Sequence, residues 1–187
     1  VRFPPTANFG QTIIAVMKMQ LLGGLTAVQF LTRHWQKRPL LVRGAIPGFR
    51  APLTPAGVRR LAARDDVESR LVSRSGRKWR LEHGPFAARQ FASLPAKNWT
   101  VLVQGVNLHS APCDALLRRF DFIPSARLDD LMVSFAAPGG GVGPHLDSYD
   151  VFLLQGEGRR RWRISGQADH RLVAGAPLAV LARFRPE

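Results

Sequence analysis

Residues 138–150 read Pro138-Gly-Gly-Gly-Val-Gly-Pro-His145-Leu-Asp147-Ser-Tyr-Asp150, and a basic stretch, Arg159-Arg-Arg-Trp-Arg163, follows shortly after. On an extended strand, residues i and i+2 project from one face, so His145 and Asp147 converge on one point. A neutral imidazole and a carboxylate suit a divalent transition metal. A His-x-Asp pair also supplies two of the three protein ligands in the facial triad of non-haem Fe(II) oxygenases. Gly139, Gly140, Gly141 and Gly143 remove side chains beside the pair, which lets a ligand approach the backbone closely. The alternative is a surface strand with an incidental His and Asp. A phosphate-binding loop fits less well, because the glycines run into His-x-Asp rather than Gly-Lys-Ser/Thr and no helical pattern begins there.

Beyond this stretch, Val151-Phe-Leu-Leu154 has the character of a buried strand, Gly156-Glu157-Gly158 of a turn, and the arginines of a returning strand. Alternation places Arg160 on one face with Trp162 and Ile164, and Arg159, Arg161 and Arg163 on the other. If the first face is the inner one, Arg160 needs an anion, because an unpaired buried guanidinium is strongly disfavoured. Its planar fork holds a carboxylate bidentately. Two partners satisfy it: a dicarboxylate co-substrate that chelates iron at its other end, or an internal carboxylate such as Asp129, Asp130 or Asp150.

Upstream, Thr26-Ala-Val-Gln29 is a capping-box pattern, and Val28, Phe30, Leu31 and Trp35 form an apolar stripe on a helix that ends before Pro39. Leu40-Leu41-Val42 reads as a short strand. Thr54 and Pro55 open a second helix that turns Val58 and Leu61 inward. Residues 67–73 and 78–83 flank Arg74-Ser-Gly-Arg77 as a hairpin. Residues 99–106 and 131–136 are strands, and residues 113–120 form a short helix. Helices first and mostly strands afterwards make a mostly β, α+β domain. Residues 1–20 lack a steady period and read as a leader with no role in the fold.

A chain of 187 residues with 45% hydrophobic composition is one domain with a sizeable core. No apolar run approaches the roughly 18 residues of a membrane-spanning helix, so no membrane partner is expected. The formal net charge of +14 raises a ribosome- or RNA-surface binder as a competing function. Lysine occurs only at positions 18, 37, 78 and 97, so arginine supplies nearly all of that charge. A single cysteine, Cys113, rules out an internal disulfide framework and a Cys-based zinc site, and points to a reducing, cytoplasmic setting.

Several further segments join the glycine stretch in one resemblance: His34-Trp-Gln-Lys-Arg-Pro39, Asp66-Val-Glu-Ser-Arg-Leu-Val-Ser73, His83-Gly-Pro-Phe86, Trp99-Thr-Val-Leu-Val-Gln104, Asp129-Asp-Leu-Met-Val-Ser-Phe135 and Gln155 through Arg163. On these residues the chain resembles the bacterial JmjC-type ribosomal oxygenases, cupin-fold enzymes that hydroxylate an arginine of a large-subunit ribosomal protein. The resemblance spans residues 21–187 and implies a double-stranded β-helix, Fe(II) and 2-oxoglutarate. It also implies iron ligation by His145 and Asp147 and 2-oxoglutarate binding by Arg160. The family's distal histidine ligand, its later β-helix strands and its dimerisation region have no counterpart before Glu187. The expectation is therefore an N-terminal portion of such an enzyme with two ligands of three, and with apolar strand faces left uncovered. His170 is the nearest downstream histidine, but Gln167-Ala-Asp-His170-Arg-Leu lacks the distal motif. A cupin-like binding module without the chemistry is the other reading.

Overall fold

A computed structural model describes residues 21–186, so the leader expected over residues 1–20 lies outside the described residues. The first two helices form where their caps predict. In α1 (Ala27–Arg33) the Thr26 hydroxyl accepts the Gln29 N–H while the Gln29 side chain accepts the Thr26 N–H. Phe30 is buried and its ring meets Phe122 and Phe152, but Val28 is exposed. The single stripe expected of Val28 and Phe30 fails on geometry, since residues two apart point about 200° away from each other on a helix. In α2 (Pro55–Ala62) the Thr54 hydroxyl accepts the Gly57 N–H at 3.1 Å, and Val58, Leu61 and Ala62 are buried. Leu40-Leu41-Val42 forms no strand, and Leu41 lies in solvent.

Four antiparallel strands make one sheet in the order β2-β1-β3-β4: β1 (Ser69–Ser75), β2 (Lys78–His83), β3 (Trp99–Val103) and β4 (Val133–Ala136). The β1–β2 hairpin closes through Gly76 and Arg77, with Gly76 at φ 58°, a left-handed conformation that suits a two-residue turn. β3 stops short of Val106 because Gly105 also turns left-handed and gives its N–H to the Asp130 carboxylate. Two further helices, α3 (Ala88–Ala92) and α4 (Ala111–Leu117), lie between the strands. A 3-10 turn carries α4 on to Phe120, near the end expected for that helix.

The register gives the sheet two different faces. Leu71, Val101, Val103, Val133 and Phe135 share one face and pack on Val58, Leu61 and Ala62 of α2, forming the main core. Val101 and Val103 have no solvent exposure at all, and burial of each side chain stabilises the fold by about 1.5–2 kcal/mol. The opposite face presents Arg70, Arg74, Trp79, Thr100 and Ser134. It is this second face that the glycine stretch approaches.

Past β4 the sequence and the structure part. Residues 151–154 and 159–164 form no strands, and the remaining ladder contact among the described residues is an isolated bridge between Leu172 and Leu181. The alternation is present, but no neighbouring strand accepts its hydrogen bonds, so Val151, Leu153, Trp162 and Ile164 stay exposed. The described part is thus an α+β unit built on a four-stranded antiparallel sheet.

The loop after β4 lies flat on the start of β3. Ala137 N–H donates to the Trp99 carbonyl at 3.1 Å and Asn98 N–H donates to the Pro138 carbonyl at 2.9 Å. A Cβ at Gly140 would overlap the Trp99 carbonyl oxygen, whereas one at Gly141 would meet nothing within 4 Å. Gly140→Ala is therefore expected to cost about 1–3 kcal/mol in urea unfolding, and Gly141→Ala to leave the midpoint within about 0.5 kcal/mol of the parent. Equal midpoints for the two variants would show that the loop does not rest on β3.

Candidate functional site

Gly143 ends the glycine run at φ 79°, and a Cβ there would stand 3.0 Å from the Trp79 ring and 3.1 Å from Val180. Glycine is required at this position by both its backbone angle and its surroundings. With Gly143 fixed, its carbonyl lies 2.9 Å from His145 Nδ1. A carbonyl can only accept, so Nδ1 carries the proton in this contact, which makes Nε2 the nitrogen whose lone pair a metal can use. That lone pair is on the nitrogen nearer Asp147, whose Oδ2 lies 3.5 Å away.

This arrangement fits a metal ion in donor type and in tautomer. A ligating histidine usually has its second ring nitrogen tied to a carbonyl or carboxylate, as Nδ1 is here. Two donors bonded at about 2.1 Å to an octahedral ion stand roughly 3 Å apart, so closing from 3.5 Å needs only a small side-chain rotation. Both side chains are partly open to solvent, so an ion can reach them.

The structure brings no third ligand to the pair. Among the described residues there is no group of three His, Cys, Asp or Glu side chains placed to hold a metal. His170 Nε2 is 2.9 Å from the Gln167 carbonyl, in a surface loop whose Asp169 is taken by Arg171. The paired hydrogen bonds from that guanidinium hold the Asp169 carboxyl far below the usual carboxylate range. His34 stacks on Phe30 in the aromatic cluster around α1. Asp150, three residues from Asp147, lines a different cavity with His34, Trp35 and Phe152.

Arg160 is in contact with the sheet, though not by the route expected. Its stretch forms no strand, and Trp162 and Ile164 are each about half exposed, so the inward face derived from alternation is not realised. Arg160 Nη1 instead donates to Ser134 Oγ at 2.9 Å, and the guanidinium lies 5.8 Å from the centre of the Trp162 ring. None of Asp129, Asp130 and Asp150 pairs with it among the described residues. Asp130 is committed to the Gly105 N–H. A neutral hydroxyl orients the guanidinium without cancelling its charge, so it remains able to hold an anion.

Ser134 is the site residue that reading the sequence missed. The signal was available: in Val133-Ser134-Phe135, alternation sends the two apolar side chains into the core and the hydroxyl to the opposite face. Trp79, which walls Gly143, comes from a hairpin 64 residues earlier in the chain and carries no local signal.

The chain is similar to several known proteins. The JmjC domain family matches residues 115–187. The ribosomal protein uL16 3-hydroxylase of Escherichia coli K12 is 51% identical over 135 residues, which cover 72% of this chain and 36% of that protein. The X-ray structure of E. coli YcfD superposes with a TM-score of 0.82 at 45% identity, covering 87% of this chain and 43% of that one. A second structure of YcfD, described as a ribosomal oxygenase in complex with cobalt and 2-oxoglutarate, superposes with a TM-score of 0.77 at 44% identity, covering 87% and 42%. The chain spans about a third of the length of the curated relatives it matches.

Two donors from one short segment make a weak metal site, and the His145–Asp147 geometry predicts how it fails. In a Co(II) titration followed by visible absorption, His145→Ala and Asp147→Ala are each expected to weaken binding at least tenfold, while His170→Ala leaves it unchanged. Retained Co(II) affinity in both of the first two variants would place the metal elsewhere.

Proposed function

We propose that this chain is part of a JmjC-type ribosomal oxygenase, on its match to the JmjC domain model and its 51% identity to the E. coli uL16 3-hydroxylase, and that it carries iron- and 2-oxoglutarate-binding residues of a protein hydroxylase. The substrate on this reading is an arginine side chain of a large-subunit ribosomal protein, and the setting is cytoplasmic. The observation that carries the reading is the pairing of His145 Nε2 with Asp147 on a loop pinned to the same sheet face that holds Arg160 through Ser134.

Each residue has a role that its geometry supports. His145, locked in the Nε2-ligating tautomer by the Gly143 carbonyl, and Asp147 hold Fe(II). Arg160 binds the distal carboxylate of 2-oxoglutarate, with Ser134 orienting the guanidinium and offering a hydroxyl beside it. Bound iron and 2-oxoglutarate together supply the oxidising chemistry: O2 is consumed, the co-substrate becomes succinate and CO2, and one oxygen atom enters a substrate C–H bond. The protein's share is to fix the co-substrate's two ends, its chelating end at the pair and its far carboxylate at Arg160. The names of the E. coli relatives, a uL16 3-hydroxylase and a structure with cobalt and 2-oxoglutarate, agree with this assignment.

The test joins binding to product. Arg160→Ala is expected to weaken 2-oxoglutarate binding to the Co(II)-loaded protein by about 10–100-fold, with Co(II) affinity nearly unchanged. Ser134→Ala should give a smaller loss, about threefold to tenfold, because it removes one neutral hydrogen bond. With Fe(II), 2-oxoglutarate and ascorbate, the protein should add one oxygen atom to an arginine of a ribosomal-protein peptide, and His145→Ala should abolish that gain. Oxygen appearing on histidine would overturn the arginine assignment. Unchanged 2-oxoglutarate affinity in Arg160→Ala would overturn the co-substrate site.

A further inference from the structure

The positive charge has a focus that the sequence, read linearly, does not show. Residues 69–113 hold seven lysines and arginines against one acidic residue, Glu82, and Glu82 is paired with Arg80 at the hairpin's flank. Arg74, Arg77 and Lys78 lie exposed at the tip of the β1–β2 hairpin. The exposed Lys97 joins them, since Arg74 N–H donates to the carbonyl of the next residue, Asn98, at 2.9 Å. Among the described residues none of these four cations forms an ion pair. An aromatic ring stands among them. The Arg74 guanidinium lies 5.4 Å from the centre of the half-buried Trp79 ring, and the same ring walls Gly143, two residues before His145.

We propose that this hairpin tip is a docking surface for single-stranded RNA. Arg74, Arg77, Lys78 and Lys97 contact phosphates, and a base stacks beside the Arg74–Trp79 pair. Arginine forks match phosphate oxygens, and an aromatic ring flanked by a guanidinium is a stacking platform that tolerates any base. A lipid surface would call for apolar side chains at the tip, whereas Ser75 and Gly76 occupy it. An acidic peptide would use the same cations but would give the ring no role. Because Trp79 touches the glycine loop, RNA held here runs close to the His145–Asp147 pair. The surface uses neither metal nor co-substrate, so it stands or falls separately from the oxygenase reading.

The experiment is run without metal or 2-oxoglutarate, on the full chain, with a fluorescent oligouridylate as the probe and anisotropy as the readout across a salt series. The triple variant Arg74→Gln, Arg77→Gln, Lys78→Gln is compared with Arg33→Gln, Arg43→Gln, Arg50→Gln, which removes the same charge from exposed positions elsewhere. Removing three phosphate contacts should weaken binding at least tenfold at moderate salt and lower the slope of log K against log salt by about 2. The control triple should change affinity less than threefold, and both variants should keep the parent's circular dichroism. Equal losses in the two triples would show diffuse charge and overturn the proposal, as would absence of probe binding by the parent at low salt. Displacement of the probe by polyglutamate at matched charge concentration would also overturn it, in favour of an acidic protein partner.

Discussion

Gly140 occupies a position where no side chain can stand, because its Cα rests on the carbonyl of Trp99. The backbone hydrogen bonds of Asn98 and Ala137 hold the loop down at that point, and the rest of the site follows from it. With the loop flat on β3, Gly143 is set against Trp79 and Val180. Its carbonyl then meets His145 Nδ1, fixes the tautomer and leaves Nε2 free toward Asp147. A side-chain property, the availability of one nitrogen lone pair, is thus set by backbone packing several residues upstream. In such a chain of contacts a single methyl group at the first link disturbs the last, without any change to the ligands.

The sheet separates stability from chemistry. One face is spent on the core with α2, and its residues are interchangeable hydrocarbons of suitable volume. The other face, which also buries Val72 and Leu102, carries Ser134 beneath Arg160 and Trp79 beside the glycine loop. The partner given to Arg160 is informative in itself. Had an internal carboxylate neutralised the guanidinium, the arginine would be a structural ion pair and nothing more. A hydroxyl fixes its direction and leaves a full positive charge unanswered, which is the arrangement an anionic co-substrate requires.

Local signals were legible in the sequence to the extent that local physics decides them. The caps at Thr26 and Thr54 and the turn at Gly76 depend on neighbours within a few residues, and they form where they were expected; the four sheet strands announce themselves by composition, though their pairing is set by partners far along the chain. The His145–Asp147 pair was legible for the same reason. Stretches whose structure depends on distant partners were not. Alternation in residues 151–164 names two faces but not which is covered, and without a ladder only Phe152 finds cover, in the aromatic cluster around Phe30. Ser134 became visible only once Arg160 was placed in space. Trp79 became visible only when the hairpin was folded against the loop.

A formal charge of +14 sits awkwardly beside the basic ribosomal-protein substrate proposed above, and the arrangement of charge resolves much of the difficulty. Exposed charges are screened over about 8 Å at physiological salt, so an approaching guanidinium responds to the residues near the pair rather than to the chain's total. Of the carboxylates close by in sequence, Asp147 belongs to the pair itself, whereas Asp150 lines the separate cavity with His34 and Trp35. The four unpaired cations are held instead on the hairpin and at Lys97, where the sheet keeps them together without neutralising them. If RNA occupies that tip, it adds negative charge on the side of the loop where Trp79 stands. On the proposed function, the excess of arginine then recruits a basic substrate through the nucleic acid that accompanies it, and the same residues that repel the free protein favour its complex.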